Sequence, residues 1–139
     1  MKTKTIKTTK GEFVDLFNGL TSVKDVQDKK FAIAVGKNLA TLMAKLQHVQ
    51  DANTPSSEFF DLSVKVNELV KENTEEAAEQ VKALEVENEG LIKKRHEQLA
   101  KVQEMLKERM TVKLYTIESD YLPEKITPEQ VLHLNKIIQ

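Results

Sequence analysis

Few residues of this chain have the type and spacing that catalysis or metal binding requires. Glu76 and Glu79 stand three positions apart in a helix-forming segment, so their carboxylates could share a magnesium ion. Helical enzymes that hydrolyse nucleoside triphosphates pair such a motif with a second acidic motif, which has no convincing counterpart here. The three histidines, His48, His96 and His133, stand far apart and form no helical metal-binding pair. The sequence therefore predicts no catalytic residue, no metal site and no cofactor, and a magnesium-dependent nucleotide hydrolase is the most distant alternative.

The glycine and cysteine content excludes further kinds of catalytic and binding site. The four glycines are isolated from one another and form no phosphate-binding loop. The chain has no cysteine, which excludes disulfides, zinc–thiolate sites and thiol nucleophiles. We therefore expect a protein that is not an enzyme.

Two groups of polar residues are candidates for contact with a partner or a small anionic ligand. The alternative is that the lysines are solvated and that Asn38 fills a polar gap between helices. The candidates are Lys30, Lys37 and Asn38 beside one apolar helix stripe, and Lys93, Lys94 and Arg95 in a second helix.

The candidate contact residues lie in segments that are expected to form long helices. The stretch from Ser56 to Met110 has no proline and a single glycine, Gly90, and consists mostly of good helix formers. One continuous helix of this length would measure roughly 80 Å. Asn73 falls where the apolar stripe runs in steps of four, which resembles a coiled-coil stutter. A break near Asn88–Gly90, giving a second hairpin, is the main alternative to a continuous helix.

An apolar stripe along this segment predicts self-association. A chain of 139 residues cannot easily cover the whole stripe by itself, and a helical bundle between subunits would bury it. The candidate interface residues are Val81, Leu84, Leu91, Leu99, Val102 and Leu106.

Charge is unevenly distributed along the same segment. Residues 72–89 carry seven acids and one base, and residues 93–109 carry six bases and three acids. Such blocks could set the register against a partner helix, although a solvated helix surface is the simpler interpretation.

The two ends of the chain predict a small head with a β element. Residues 2–8 and 111–117 are rich in β-branched residues and are expected to pair as strands. Helix starts are expected after Thr9, near Lys29, and after Thr127 with Pro128. Thr54 with Pro55 suggests a tight connection between antiparallel helices.

The predicted fold is therefore mainly α with a small β element. It is an antiparallel helical hairpin with one very long helix, and its N- and C-terminal strands pair in the head. We expect a single domain over residues 1–139, with a head at 1–28 and 110–139 and an arm at 29–109.

Composition restricts the partners and the compartment. The net charge of −1 offers no global positive field for nucleic acid, and no apolar run is long enough to span a membrane. The N-terminal residues do not form a signal peptide. We expect a location in the cytoplasm of a bacterial host or in a virion.

The segment from Lys30 to Leu39, the long charged helix, and the ending with Leu122-Pro123, Thr127 and Ile137-Ile138 resemble small tailed-bacteriophage proteins of unknown function. The resemblance covers most of residues 28–139, but the central helix here is longer and more charged. It implies a role in the virion, in its assembly, or on a host factor, and it supplies no catalytic residues.

Two functional hypotheses follow from these observations. The first is a phage structural, assembly or accessory protein that acts through helical oligomerisation and contacts with other virion or host proteins. The second is a binding protein that sequesters a host factor or a small anionic ligand.

Overall fold

The computed structural model describes residues 1–26 and 28–139, and these residues form a mainly helical protein with one two-stranded antiparallel sheet. The predicted fold class is confirmed. The sequence of residues 21–28 favours helix poorly and predicts a connection between helices, and this stretch includes Gln27, which lies outside the described residues. The elements in chain order are β1 (Thr3–Thr9), α1 (Lys10–Ser22), α2 (Lys29–Asn53), α3 (Ser57–Glu72), α4 (Glu75–Glu87), α5 (Glu89–Lys107), β2 (Arg109–Tyr115), a 3-10 turn (Ser119–Tyr121) and α6 (Pro128–Leu134).

The sheet joins the two ends of the chain as the sequence predicts. Strand β1 pairs with β2 in a register that runs from Thr3 opposite Tyr115 to Thr9 opposite Arg109. Because side chains alternate between the faces of a strand, Ile6 and its partner Val112 lie buried on the same face. The sheet therefore has one face in the core and one face in solvent.

The described chain divides into two compact units. The sheet unit comprises Met1–Val49 and Glu104–Gln139, and the helical unit comprises Gln50–Gln103. Residues 29–49 and 104–109, which the sequence analysis places in the arm, lie in the sheet unit. A single domain over the whole chain stays a prediction.

One apolar core fills the sheet unit. Helices α1 and α6 meet over it, and a Cβ atom on Gly19 would lie only 2.7 Å from the Cβ atom of His133. Glycine at this position therefore permits the close approach of the two helices. The sixteen buried core residues are Ile6, Phe13, Leu16, Leu20, Val23, Phe31, Ala34, Val35, Leu42, Leu46, Val49, Val112, Leu114, Ile117, Leu134 and Ile137.

Two helix starts follow the predicted capping chemistry. Thr9 caps α1, and its hydroxyl accepts a hydrogen bond from the backbone N–H of Glu12 at 3.2 Å. Thr127 and Gln130 form a complete capping box at the start of α6, with Pro128 in the first turn. These local signals place both helices correctly.

The continuous helix predicted over residues 56–110 is wrong, because the segment is interrupted twice. The first interruption follows α3, where Asn73 adopts the left-handed conformation with φ of 51°. Asparagine tolerates this conformation better than most residues and so ends helices well. Thr74 then caps α4 by accepting a hydrogen bond from the N–H of Ala77 at 3.0 Å. The pattern interpreted as a stutter is therefore a helix end followed by a helix start.

The second interruption lies at Asn88, between α4 and α5. Its backbone leaves the helical region, with φ of −111° and ψ of 25°, and its side-chain amide donates to the carbonyl oxygen of Leu84 at 2.8 Å. This amide competes with the backbone for a helical acceptor. The interruption falls within the predicted range of Asn88–Gly90, and the asparagine forms it. Hydrogen bonds of helical spacing still join the Asn88 N–H to Leu84 and the Ile92 N–H to Asn88, each at 3.0 Å, so the second hairpin of that alternative stays a prediction.

Helix α3 begins two residues later than the sequence suggests. Ser56, not Thr54, is its cap, and the Ser56 hydroxyl accepts a hydrogen bond from the N–H of Phe59 at 3.2 Å. The Thr54 hydroxyl instead donates to the carbonyl oxygen of Gln50 at the end of α2. Helix α2 consequently extends to Asn53.

Candidate functional site

A cleft of about 460 Å³ in the sheet unit contains one of the predicted contact residues, Lys30. Its Nζ atom lies 4.2 Å from the centroid of the Tyr121 ring, within the range of a cation–π interaction. Ile33 contributes an apolar wall and is 40% exposed. The remaining lining residues combine both charge signs with an apolar floor and include Lys2, Ala34, Thr116, Ile117 and Glu118. The cleft can therefore hold a small group that is partly apolar and partly charged.

Lys37 and Asn38 lie beside strand β2 rather than in this cleft. The Lys37 Nζ atom is 5.0 Å from the centroid of the Tyr115 ring. Asn38 is fully buried, and its amide nitrogen donates to the Tyr115 carbonyl oxygen at 2.9 Å. The Tyr115 N–H donates to the amide oxygen of Asn38 at 2.8 Å.

Asn38 thus bonds to the outer edge of β2 as a neighbouring strand would. Both hydrogen-bonding groups of its side chain are occupied by the backbone of one residue. This geometry supports the alternative in which Asn38 fills a polar gap, and it leaves the amide with no group directed at a ligand.

The second predicted group, Lys93, Lys94 and Arg95, belongs to the helical unit. Lys93 and Lys94 are exposed. Arg95 is half-buried, and its guanidinium donates to the Asn53 carbonyl oxygen at 2.8 Å and to the Gln98 side chain at 2.7 Å. Arg95 therefore ties α5 to the end of α2.

Gln98 is a structural residue that the sequence analysis missed. Its amide nitrogen donates to the carbonyl oxygens of Ala52 and Thr54, each at 2.8 Å. These carbonyls stand at the end of a helix, where four such groups lack partners within the helix. A long polar side chain on a charged helix gives no sequence signal for this role, because its acceptors lie more than forty residues away.

The candidate interface residues differ in their exposure. Val102 is buried, and Leu106 packs against the core of the sheet unit. Val81, Leu84 and Leu91 are half-buried. Leu99 is 37% exposed. Five of the six residues thus retain surface, and four of these, Val81, Leu84, Leu91 and Leu99, lie in the helical unit, where a partner helix could cover them.

The acidic pair of the distant enzyme alternative lies in the helical unit. Glu76 and Glu79 are exposed near the start of α4. Among residues 1–26 and 28–139, no group of three or more His, Asp or Glu side chains is arranged to hold a metal ion.

Two carboxylates next to the sheet are paired with lysines. Hydrogen bonds from the Thr8 hydroxyl and from Lys136 hold the pKa of Glu12 below its usual value. The Lys10 ammonium lies 2.6 Å from Glu108 and lowers the pKa of that carboxyl in the same way. Both carboxylates are therefore ionised and balanced by their own cations.

Comparisons with known protein families, with curated proteins and with solved structures find no match. No helix in the described part of the chain combines the length and apolar character needed to cross a membrane.

Proposed function

We propose that this chain is a non-enzymatic structural or assembly protein that self-associates through the helices of its helical unit. The observation that carries the proposal is the thin core of that unit. Only Leu62, Ala77 and Val102 are buried there. The sheet unit, in contrast, contains all sixteen residues of the main apolar core.

Large apolar side chains of the same unit remain in solvent. Phe60 is 59% exposed, and Val64 lies one turn further along the same side of α3. Val70, Val86 and Leu99 are also exposed. Burial of a fully exposed side chain of this kind contributes about 1.5–3 kcal/mol, and each of these would gain the share that corresponds to its exposed fraction. A partner surface is the direct way to gain this stabilisation.

The described residues of the helical unit provide no disulfide and no metal-binding cluster that could compensate for its small core. Units below about 70–80 residues rarely gain more than about 3–5 kcal/mol from their own core, and they often rely on disulfides, a metal or oligomerisation. The chain has no cysteine, and the described residues contain no metal-binding cluster. Of these three ways to stabilise a small unit, oligomerisation is the one that remains for this chain.

Charge favours a second copy of this chain as the partner. Helix α4 is acidic, with Glu75, Glu76, Glu79 and Glu85, and α5 carries a basic run at Lys93–Arg95, one turn after its start. No ion pair joins α4 to α5 among residues 1–26 and 28–139. Two copies in opposite orientations can place the acidic helix of one against the basic run of the other. The phage context of the proposal rests on the sequence resemblance alone.

The test is the mass of the protein in solution, measured by light scattering during size exclusion over a range of concentrations. We expect a defined oligomer whose dissociation constant rises at least about tenfold in Leu99→Glu, a loss of about 1.4 kcal/mol. The matched control is Ala100→Glu, which adds the same charge at the next, exposed position of α5. A wild-type protein that stays monomeric at every concentration would reject the proposal, as would equal effects of the two substitutions.

A second candidate function is the binding of a small ligand that combines an apolar group with an anion. Lys30 favours it, because the ammonium and the Tyr121 ring stand together at the cleft beside the exposed Ile33. Ligand binding raises the melting temperature. A thermal-shift screen of aromatic carboxylates and nucleotides should therefore yield compounds that stabilise the wild type, and Lys30→Gln should abolish this stabilisation. The control Lys29→Gln changes the neighbouring exposed lysine, which does not line the cleft. Stabilisation that survives Lys30→Gln would contradict this candidate.

A further inference from the structure

The two outer edges of the sheet differ in how their backbone groups are satisfied. The outer edge of β2 is covered at its C-terminal end, because Asn38 bonds both backbone groups of Tyr115. Further along the chain, the Ile117 N–H donates to the Ile137 carbonyl oxygen, and the Gln139 N–H donates to the Ile117 carbonyl oxygen, each at 2.8 Å. This edge has no room for another strand at these positions.

The register shows which residues of β1 face away from β2. The Thr116 N–H donates to the Lys2 carbonyl oxygen at 2.9 Å, and the Lys10 N–H donates to the Glu108 carbonyl oxygen at 2.8 Å. Both pairs belong to the register of the sheet and place even-numbered residues of β1 in the ladder. In an antiparallel pair the alternate residues direct their N–H and C=O groups outward. Before Thr9, which caps α1, those residues are Thr3, Thr5 and Lys7.

We call the outward backbone groups of Thr3, Thr5 and Lys7 the open edge of β1. Within residues 1–26 and 28–139, the guanidinium of Arg109 reaches this edge at 3.4 Å from the Lys7 carbonyl oxygen, and no backbone hydrogen bond is made there. The side chains of Thr3, Thr5 and Lys7 are exposed. An unpaired row of this kind is a template for a further strand.

The charge around the open edge has one sign. Strands β1 and β2 contain the cations Lys4, Lys7, Arg109 and Lys113 and no carboxylate. The nearby carboxylates of Glu12 and Glu108 are already paired with lysines. The surface beside the edge is therefore positive, although the whole chain has a net charge of −1.

We propose that the open edge of β1 binds an extended acidic segment of a partner protein as a third strand of the sheet. A polypeptide fits because the edge offers donors and acceptors in alternation, whereas a nucleic-acid backbone offers acceptors alone. A second copy of β1 does not fit, because pairing would bring the lysines of both copies together. An acidic segment satisfies both the backbone groups and the charge.

The surface also predicts the pattern of the bound segment. Side chains of adjacent strands share faces, so acidic residues at alternate positions would lie beside Lys7 on the solvent face, with Lys113 of β2 one strand further away on the same face. Thr3 and Thr5 are β-branched and hold β1 extended before the partner arrives. This inference does not depend on self-association of the helical unit.

The experiment uses the full chain and a fluorescein-labelled peptide that alternates Glu with Val, followed by fluorescence anisotropy. We expect saturable binding that weakens as salt is added, since exposed charges contribute to it. Amide hydrogen exchange at Thr5 should slow in the presence of the peptide. A peptide that alternates Lys with Val should not bind.

Thr5→Pro removes the central outward N–H of the open edge and leaves the ladder with β2 intact. We expect it to weaken binding of the acidic peptide about tenfold, through the lost backbone hydrogen bond. The matched control Thr5→Val keeps the N–H and should bind as the wild type does. Circular dichroism should show that both variants remain folded.

A peptide with N-methyl groups on both its Glu and its Val residues tests the same point without changing the protein, because whichever residues face β1 then lack their N–H donors. Equal binding of the methylated and unmethylated acidic peptides would overturn the proposal, because only charge would then be recognised. No binding of the acidic peptide would also overturn it, since the lysines would then serve to keep the edge unpaired. Displacement of the peptide by a single-stranded oligonucleotide at lower concentration than by unlabelled peptide would overturn it in favour of nucleic acid.

Discussion

Substitution of Asn38 by leucine is expected to lower the free energy of unfolding of the sheet unit by about 2–6 kcal/mol. Leucine has nearly the same shape, so the change removes the two hydrogen bonds to Tyr115 with little change in volume. A buried N–H and a buried C=O then lose their partners, at about 1–3 kcal/mol each. The fully buried position of Asn38 leaves no easy route for water to replace the amide.

The measurement is urea unfolding followed by tyrosine fluorescence. The chain has two tyrosines and no tryptophan, and Tyr115 and Tyr121 both lie in the sheet unit, so this signal reports on that unit alone. Hydrogen exchange at the Tyr115 amide should accelerate in the variant. The matched control is Asn18→Leu on the exposed side of α1 in the same unit, expected to stay within about 0.5 kcal/mol of the wild type. Equal changes for the two variants would show that the Asn38 hydrogen bonds contribute nothing.

Truncation of Phe13 to alanine is expected to destabilise the sheet unit by about 3–5 kcal/mol. Phe13 has no exposed surface and packs in the main core, so its loss removes apolar burial and leaves a cavity. Natural domains are stable by about 5–15 kcal/mol in total, which makes this a large fraction. The same urea titration measures it.

Phe60→Ala is the control for the same change of side chain at an exposed site. Phe60 is 59% exposed, so its removal should leave the tyrosine-detected transition unchanged. If α3 contributes to self-association as proposed, Phe60→Ala should also weaken the oligomer. A Phe13→Ala transition that coincides with the wild-type transition would contradict the position of Phe13 in the core.

Local signals in the sequence predict many elements of this fold. Thr9 and Thr127 mark helix starts through side chains that bond to backbone groups three residues away. The strands are recognisable because Thr, Ile and Val recur at both ends of the chain. Their pairing could be inferred because a strand needs a second strand to satisfy its backbone hydrogen bonds, and the sequence contains two segments that are expected to form strands.

The interruptions of the long helix were harder to predict, because the competing signals are weak. Asn73 followed by Thr74 is a helix end next to a helix start, but the same asparagine also fits a polar position in a coiled coil. Proline or glycine would have marked the first interruption plainly, and neither occurs at Asn73–Thr74. Asn88 acts through its side-chain amide, which sequence periodicity does not reveal.

Residues whose partners are distant in sequence could not be assigned. Asn38 bonds to Tyr115, 77 positions away, and only the completed sheet edge explains why an amide is buried in α2. The open edge of β1 follows from the register of the strands, which the sequence leaves undetermined. The lysines near β1 were visible from the start, but the outward direction of the Thr3, Thr5 and Lys7 backbone was not.

The pairing of β1 with β2 also sets an order of events during synthesis on the ribosome. Thr9 lies opposite Arg109, so β1 emerges one hundred residues before the strand that completes it. At about 5–20 residues per second, both of its edges stay unpaired for roughly 5–20 s. Lysines on the nascent strand repel the same strand of a neighbouring chain on a polysome. The charge that would select an acidic partner in the mature protein would thus also limit aggregation of the unfinished one.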